Sequence, residues 1–202
     1  RRLRAVSVEE LKKSYEERYY RGGRVDLSRI SYRTHYPILA RHIVKLYEQM
    51  RRYNLDRFQI YIIIGPSGSG KSVYAILSGW WVLRTVYNLD EDRAWRLLFS
   101  KYLYWDYEEL HRDLEGLGTL KPEDKLPFKI WDEVSLTAGK YLYLEDIDAA
   151  ISVSRMLETC RSHLFSLVGT TQNPSLIFKT FRQIPNVTIV AVSYTHLTLP
   201  TT

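Results

Sequence analysis

The spacing of apolar residues changes along the chain, and each change marks an element. Ser7-Val8-Glu9-Glu10 has a capping-box spelling, in which Ser7 and Glu10 satisfy each other's orphan amides. It predicts a helix over Val8–Tyr20 that stops at Gly22-Gly23. Ile38, Leu39, Ile43, Leu46, Tyr47 and Met50 recur at helical spacing and predict a second helix over Pro37–Arg52. Gln59–Ile64 (QIYIII) is a continuous apolar, β-branched run, as expected of a strand buried on both faces. A glycine-rich turn comes next, then an apolar helical stretch over Ser72–Tyr87. Short strands are predicted over Phe99–Leu103 and Phe128–Trp131, and in the run from Leu164 that turns polar at Thr170-Thr171-Gln172. Residues 116–127 and 137–144 read as loops. Strands alternating with helices predict an α/β fold with a mainly parallel sheet.

Charge divides the chain. Residues 1–58 hold 15 Lys+Arg against 7 Asp+Glu, whereas the remainder is slightly acidic, for a formal +6 overall. The expected organisation is a basic helical N-terminal extension (1–33), an amphipathic helix leading into the core (34–58) and a core (59–192) cut short at its C-terminus. Arg41, Lys45, Arg51 and Arg52 fall mostly off the apolar face of the second helix, which makes them either a solvated face or a surface for phosphate backbones. Residues 193–202 (SYTHLTLPTT) carry no charge and break the pattern; they resemble translated sequencing-adaptor read-through and are expected to lie outside the fold. The start at Arg1, without a methionine, predicts a fragment or a processed chain.

Composition narrows the class. With 45% hydrophobic and 26% charged residues, the chain is neither disordered nor collagen-like. Its single cysteine, Cys160, can form no internal disulfide, which points to a reducing, cytoplasmic compartment. No apolar run approaches the ~18 residues of a membrane span.

The turn after the first strand carries the chemistry. Gly65-Pro66-Ser67-Gly68-Ser69-Gly70-Lys71-Ser72, with Val73 after it, is a full G-x-x-x-x-G-K-[ST] phosphate-binding loop between a strand and a helix. Its glycines let successive N–H groups face phosphates, and the helix N-terminus adds its positive dipole end. In that role Lys71 reaches the β- and γ-phosphates of ATP and the Ser72 hydroxyl holds Mg²⁺. Such a site needs a carboxylate at the end of another buried strand. Pro127-Phe-Lys-Ile-Trp131-Asp132-Glu133 supplies one, with Asp132 toward the metal and Glu133 as the general base that polarises water. A strand between the two motifs and a glutamate beside the aspartate favour the additional-strand ATPases over GTPases and simple kinases. In the last predicted strand, Gln172 could orient water or sense the γ-phosphate, and Thr170 or Thr171 could do so instead.

Arg161, Gln172, Pro174 and Arg182 then resemble the arginine–glutamine–proline–arginine run of the FtsK–HerA superfamily of DNA-pumping ATPases. That superfamily includes viral genome-packaging, conjugative and zonular-occludens-toxin-like ATPases. The resemblance spans residues 59–190, and departs from the cellular branch at Asn173, where arginine is usual. It implies a RecA-like P-loop NTPase three-layer sandwich that moves double-stranded DNA. It also implies a homo-oligomeric ring with ATP between neighbours and an arginine donated in trans, for which Arg161 is the first candidate, ahead of Arg155 and Arg182.

Two other functions stay open at this point: a small-molecule P-loop kinase, and a nucleotide-gated DNA-binding adaptor or loader. The stretch 140–150 lacks the arginine-rich lid expected of the former. His35, His42, His111 and His163 show no metal-ligand spacing. Trp80 and Trp81 read as core or subunit interface. Tyr102, Tyr104, Trp105 and Tyr107 read as packing on the sheet edge, and Lys140 and Tyr141 as candidate DNA contacts.

Overall fold

Gln59–Ile64 forms an interior strand of the sheet because its side chains are apolar in both directions. Tyr61 and Ile63 enter one core, and Ile60 and Ile62 enter the other. The computed structural model describes residues 36–134, 147–172 and 186–192. In chain order the elements are α1 (Ile38–Tyr53), β1 (Gln59–Ile64), α2 (Lys71–Tyr87), α3 (Glu91–Lys101), β2 (Leu103–Tyr104), α4 (Tyr107–Glu115), a 3-10 turn (Pro122–Asp124), β3 (Lys129–Trp131), α5 (Ile147–His163), β4 (Ser166–Thr171) and β5 (Val187–Ala191).

The strands form one sheet in the order β2-β3-β4-β1-β5, and every pairing is parallel. Ile64 lies beside Thr171, and Trp131 beside Gly169, so β1, β3 and β4 end together at one edge. Helices α1, α2 and α3 cover one face, packing Ile43, Trp80 and Trp95 against Tyr61, Ile63, Ile130 and Val168. Helices α4 and α5 cover the other, with Leu110, Leu114, Met156 and Cys160 against Ile60, Ile62, Trp131 and Leu167. The result is a three-layer α/β sandwich, with both faces of a parallel sheet covered as such sheets require.

Three expectations need correction. Residues 99–101 are helical, and the strand is confined to Leu103–Tyr104. Phe99 stacks on Trp95 one helical turn back, at 5.6 Å between centroids, so the 3.6-residue period prevails over a short aromatic run that resembles a strand. Helix α3 begins where Asp90 accepts the Arg93 N–H at 2.8 Å, a cap missed in the sequence, and α4 begins the same way at Asp106. Ile38, expected on the apolar face of α1, is 66% exposed. Residues 116–127, expected as a plain loop, contain the 3-10 turn and a bridge from Leu126 to Leu164.

Trp80 belongs to the core, and Trp81 packs against its margin. Tyr102 and Tyr104 are buried at the sheet edge, as packing requires. The N-terminal helix over Val8–Tyr20, His35, Lys140, Tyr141, Asn173, Pro174, Arg182 and residues 193–202 lie outside the described residues.

Candidate nucleotide-binding site

The loop between β1 and α2 is shaped by its glycines. Gly68 and Gly70 have φ of 74° and 84°, a left-handed backbone that glycine adopts without strain. Gly65 is required for space: a Cβ there would lie 2.5 Å from both Ser69 Oγ and the Val192 carbonyl. The Ser69 N–H donates to Pro66 O at 3.1 Å, closing the loop, and the Tyr74 N–H donates to Gly70 O at 2.8 Å, starting α2. The remaining N–H groups of the first helical turn are free of intrahelical partners by construction.

Lys71 is buried and donates its ammonium to Pro66 O at 2.9 Å, so the side chain folds back across its own loop. Ser69 Oγ is buried and has no hydrogen-bond partner among the described residues. A cradle of glycines, an orphaned hydroxyl and a lysine turned into the loop fit the phosphates of a nucleotide. Ser72 and Val73, at the start of α2, are partly exposed.

The second half of the site lies two strands away. Asp132 directly follows β3 and is 1% exposed. The Thr170 hydroxyl donates to Asp132 Oδ1 at 2.6 Å. The Thr170 oxygen in turn accepts the Glu133 N–H at 2.9 Å. Glu133 itself has φ 53°, an uncommon conformation for a side-chain-bearing residue and one that concentrates at functional sites. Burial raises the Glu133 carboxyl above the usual glutamate range; the Asp132 charge adds to this and Lys71 opposes it. A carboxylate and a serine hydroxyl are hard oxygen donors of the kind that, together with phosphate oxygens, suit Mg²⁺.

β4 lies between β1 and β3, and therefore joins the two halves. Gly169 makes room for this. A Cβ there would lie 2.7 Å from Val134 Cγ2 and 3.0 Å from Ile62 Cδ1. Thr171 is fully buried and Gln172 exposed at the strand's end, on the same edge as the phosphate loop. Thr170, one of three candidates for orienting water, is instead engaged by Asp132 and Glu133. Its bridging role has no sequence signal beyond a hydroxyl at a strand end.

Arg161 is not brought to this site by its own chain. It is exposed in the last turn of α5, ahead of Ser166, which pairs with Gln59 at the opposite edge of the sheet. Six strand residues, about 20 Å, separate it from the phosphate loop. Lys125 donates to the Arg161 carbonyl at 2.8 Å and pairs with Asp56, which fixes that helix end. Arg155 is also exposed on α5.

No protein-family model matches the chain, and no curated protein matches it. Among solved structures, it is similar to the FIGL-1 AAA domain in complex with ADP, at 15% identity and a TM-score of 0.40 over 75% of this chain and 52% of that one. It is also similar to C. elegans PCH-2, at 13% identity and a TM-score of 0.45 over 77% of this chain and 42% of that one. A further structure of the FIGL-1 AAA domain matches at 13% identity and a TM-score of 0.45, over 77% of this chain and 53% of that one. The chain spans about half the length of these structures or less, and the likeness is one of fold.

Proposed function

We propose that the chain is an ATPase that couples hydrolysis to the movement of double-stranded DNA. The observation that carries the hydrolytic part is the Thr170 bridge, which holds Asp132 and Glu133 together at the edge where the phosphate loop opens. The N–H groups of the loop and Lys71 bind the phosphates, and a nucleotide would draw the ammonium away from Pro66. Ser72 and Asp132 would hold Mg²⁺, which would supply charge neutralisation for the phosphates. Glu133 accepts the proton of the attacking water, a task that suits a carboxyl raised toward neutral pH.

The coupling to DNA is supported by the FtsK–HerA-like run that includes Arg161 and Gln172. In this reading Gln172, at the exposed end of β4 next to Thr171, reports the state of a γ-phosphate to the segment after it. Arg161 lies at the far edge of the sheet, so a role at a nucleotide requires the site of a neighbouring subunit, as in a ring.

The test is ATP hydrolysis with and without long duplex DNA, with Lys71→Ala as the blank. Stimulation by duplex that disappears in Lys71→Ala is expected. Turnover indifferent to DNA would transfer the reading to a kinase or a nucleotide-gated adaptor. Absence of Lys71-dependent nucleotide binding in folded protein would remove the ATPase reading altogether.

A further inference from the structure

Helix α1 places its apolar residues inward and leaves its cations outside. Leu39, Ile43, Val44, Tyr47 and Met50 are buried against the sheet and α2. Arg41, Lys45 and Arg52 are exposed and occupy positions i, i+4 and i+11, which lie on one side of a helix. Glu48 falls on the same side, yet among the described residues neither Lys45 nor Arg52 forms an ion pair. Asp56, the next acid along the chain, is engaged by Lys125. His42 and Arg57 are also exposed, Arg41 lies over the Tyr36 ring at 5.6 Å, and Arg51 is occupied in part by the Tyr47 hydroxyl at 2.8 Å.

We propose that this face of α1, through Arg41, Lys45 and Arg52, is a binding surface for the phosphate backbone of duplex DNA. The identity of the polyanion rests on the motor reading above; the surface itself rests on charge and exposure. Arg41 and Arg52 stand about 16 Å apart along the helix axis. A duplex carries one charge per ~1.7 Å of its axis, so several phosphates fall within that length. Cations with no acid partner among the described residues are the ones that gain most by displacing condensed counterions. A lipid surface fits less well. The apolar side of α1 is already committed to the core and has nothing to insert between headgroups.

The position of α1 also gives bound DNA a mechanical connection to the nucleotide. The Leu39 N–H donates to the Tyr74 hydroxyl at 3.3 Å, and Tyr74 lies in the first turn of α2, directly after the phosphate loop. A shift of that turn on nucleotide exchange is passed to the start of the helix that holds the DNA.

The experiment compares the full chain with the Arg41→Gln/Lys45→Gln/Arg52→Gln variant, binding a random-sequence duplex by fluorescence anisotropy without nucleotide over a series of salt concentrations. The slope of log affinity against log salt is expected to fall by about 3, one per cation removed. Over the decade between ~1 M and ~0.1 M salt this amounts to roughly a 500–1,000-fold loss of affinity at the lower concentration. DNA-independent ATP turnover and the melting temperature are expected to stay as in the parent. Residues 1–35 carry further cations, so binding weakens and does not vanish. An unchanged slope and affinity would overturn the proposal. So would cation-dependent binding to phosphatidylserine vesicles in a chain that ignores duplex. DNA that binds through α1 without stimulating turnover would defeat the motor reading and leave this surface standing. Stimulation that survives the triple substitution at the same DNA concentration as in the parent would do the reverse.

Discussion

Thr170 donates its hydroxyl hydrogen to Asp132 Oδ1 at 2.6 Å while accepting the backbone N–H of Glu133 at 2.9 Å. One side chain on β4 thus fixes both the Asp132 carboxylate and the backbone of Glu133, the proposed metal ligand and general base. Thr170→Val keeps the shape and removes both bonds, leaving a buried carboxylate short of a donor and an amide short of an acceptor. We expect a loss of about 2–4 kcal/mol in denaturant unfolding. Turnover is expected to drop about 10–100-fold. Thr170→Ser should retain most of both, and a Val variant with parental turnover would show that the bridge is dispensable.

Glu133 yields a prediction with a sign. Burial, reinforced by Asp132 and opposed by Lys71, places its proton affinity above that of an ordinary glutamate. A general base works only when deprotonated, so turnover should fall on the acid side at a pH above the usual ~4.3. The native state holds this proton more tightly than the unfolded chain does. The carboxyl therefore favours the fold below its unfolded pKa, and that contribution is lost as pH rises through the raised native value. Glu133→Gln should cut turnover about 10²–10⁴-fold while retaining nucleotide. It should also raise the melting temperature, relative to the parent, more in alkaline buffer than in acid. A uniform effect across pH would contradict the raised proton affinity.

Much of the fold and half of the site are legible in the sequence, for physical reasons. QIYIII announces a doubly buried strand, and the spelling from Gly65 to Ser72 announces a strand–loop–helix unit, because few spellings let the backbone curl around phosphate. The Asp132-Glu133 pair at a strand end becomes legible once that loop is known. The Thr170 bridge does not, since it joins residues 38 apart through strand register. Nor does the left-handed backbone at Glu133, which is held by tertiary contacts and has no glycine to reveal it. Phe99 misleads because aromatic residues suit strands and helix faces alike, and only its stacking on Trp95 decides between them.

Gly169 is a place where one methyl group should reach the chemistry. A Cβ at this position meets Val134 Cγ2 at 2.7 Å and Ile62 Cδ1 at 3.0 Å. Val134 directly succeeds Glu133, so relieving the overlap displaces the turn that carries the proposed base. Gly169→Ala is expected to cost about 1–3 kcal/mol by overpacking. Turnover should fall more than nucleotide affinity, because the phosphate loop lies on the other side of β4. Equal losses in both would indicate general loosening and not a displaced base.

The buried Lys129 offers a test of the fold away from the site. Its ammonium donates to Asp113 Oδ2 at 2.7 Å, to the Tyr104 hydroxyl at 3.1 Å and to the Lys101 carbonyl, and it lies over the rings of Tyr102 and Tyr104. Burial pulls Lys129 below the usual lysine range, with Asp113 opposing it. Burial also pushes Asp113 upward, but hydrogen bonds from Lys129 and Tyr104 outweigh this and hold the carboxyl below its ordinary range. Asp113→Asn leaves the ammonium buried with neutral acceptors and should cost about 2–3 kcal/mol at neutral pH. Lys129→Met fills similar volume and frees Asp113, which is 36% exposed, to be solvated, so it should cost less. A depressed carboxyl contributes stability above its unfolded pKa and loses it as pH falls through the native value. The deficit of Asp113→Asn relative to the parent should therefore shrink as pH falls below the ordinary aspartate value of ~3.9. Thermal melts of the two variants across that range would show it. A methionine variant weaker than the asparagine one at neutral pH would mean that the cation is held chiefly by the carbonyl and the rings.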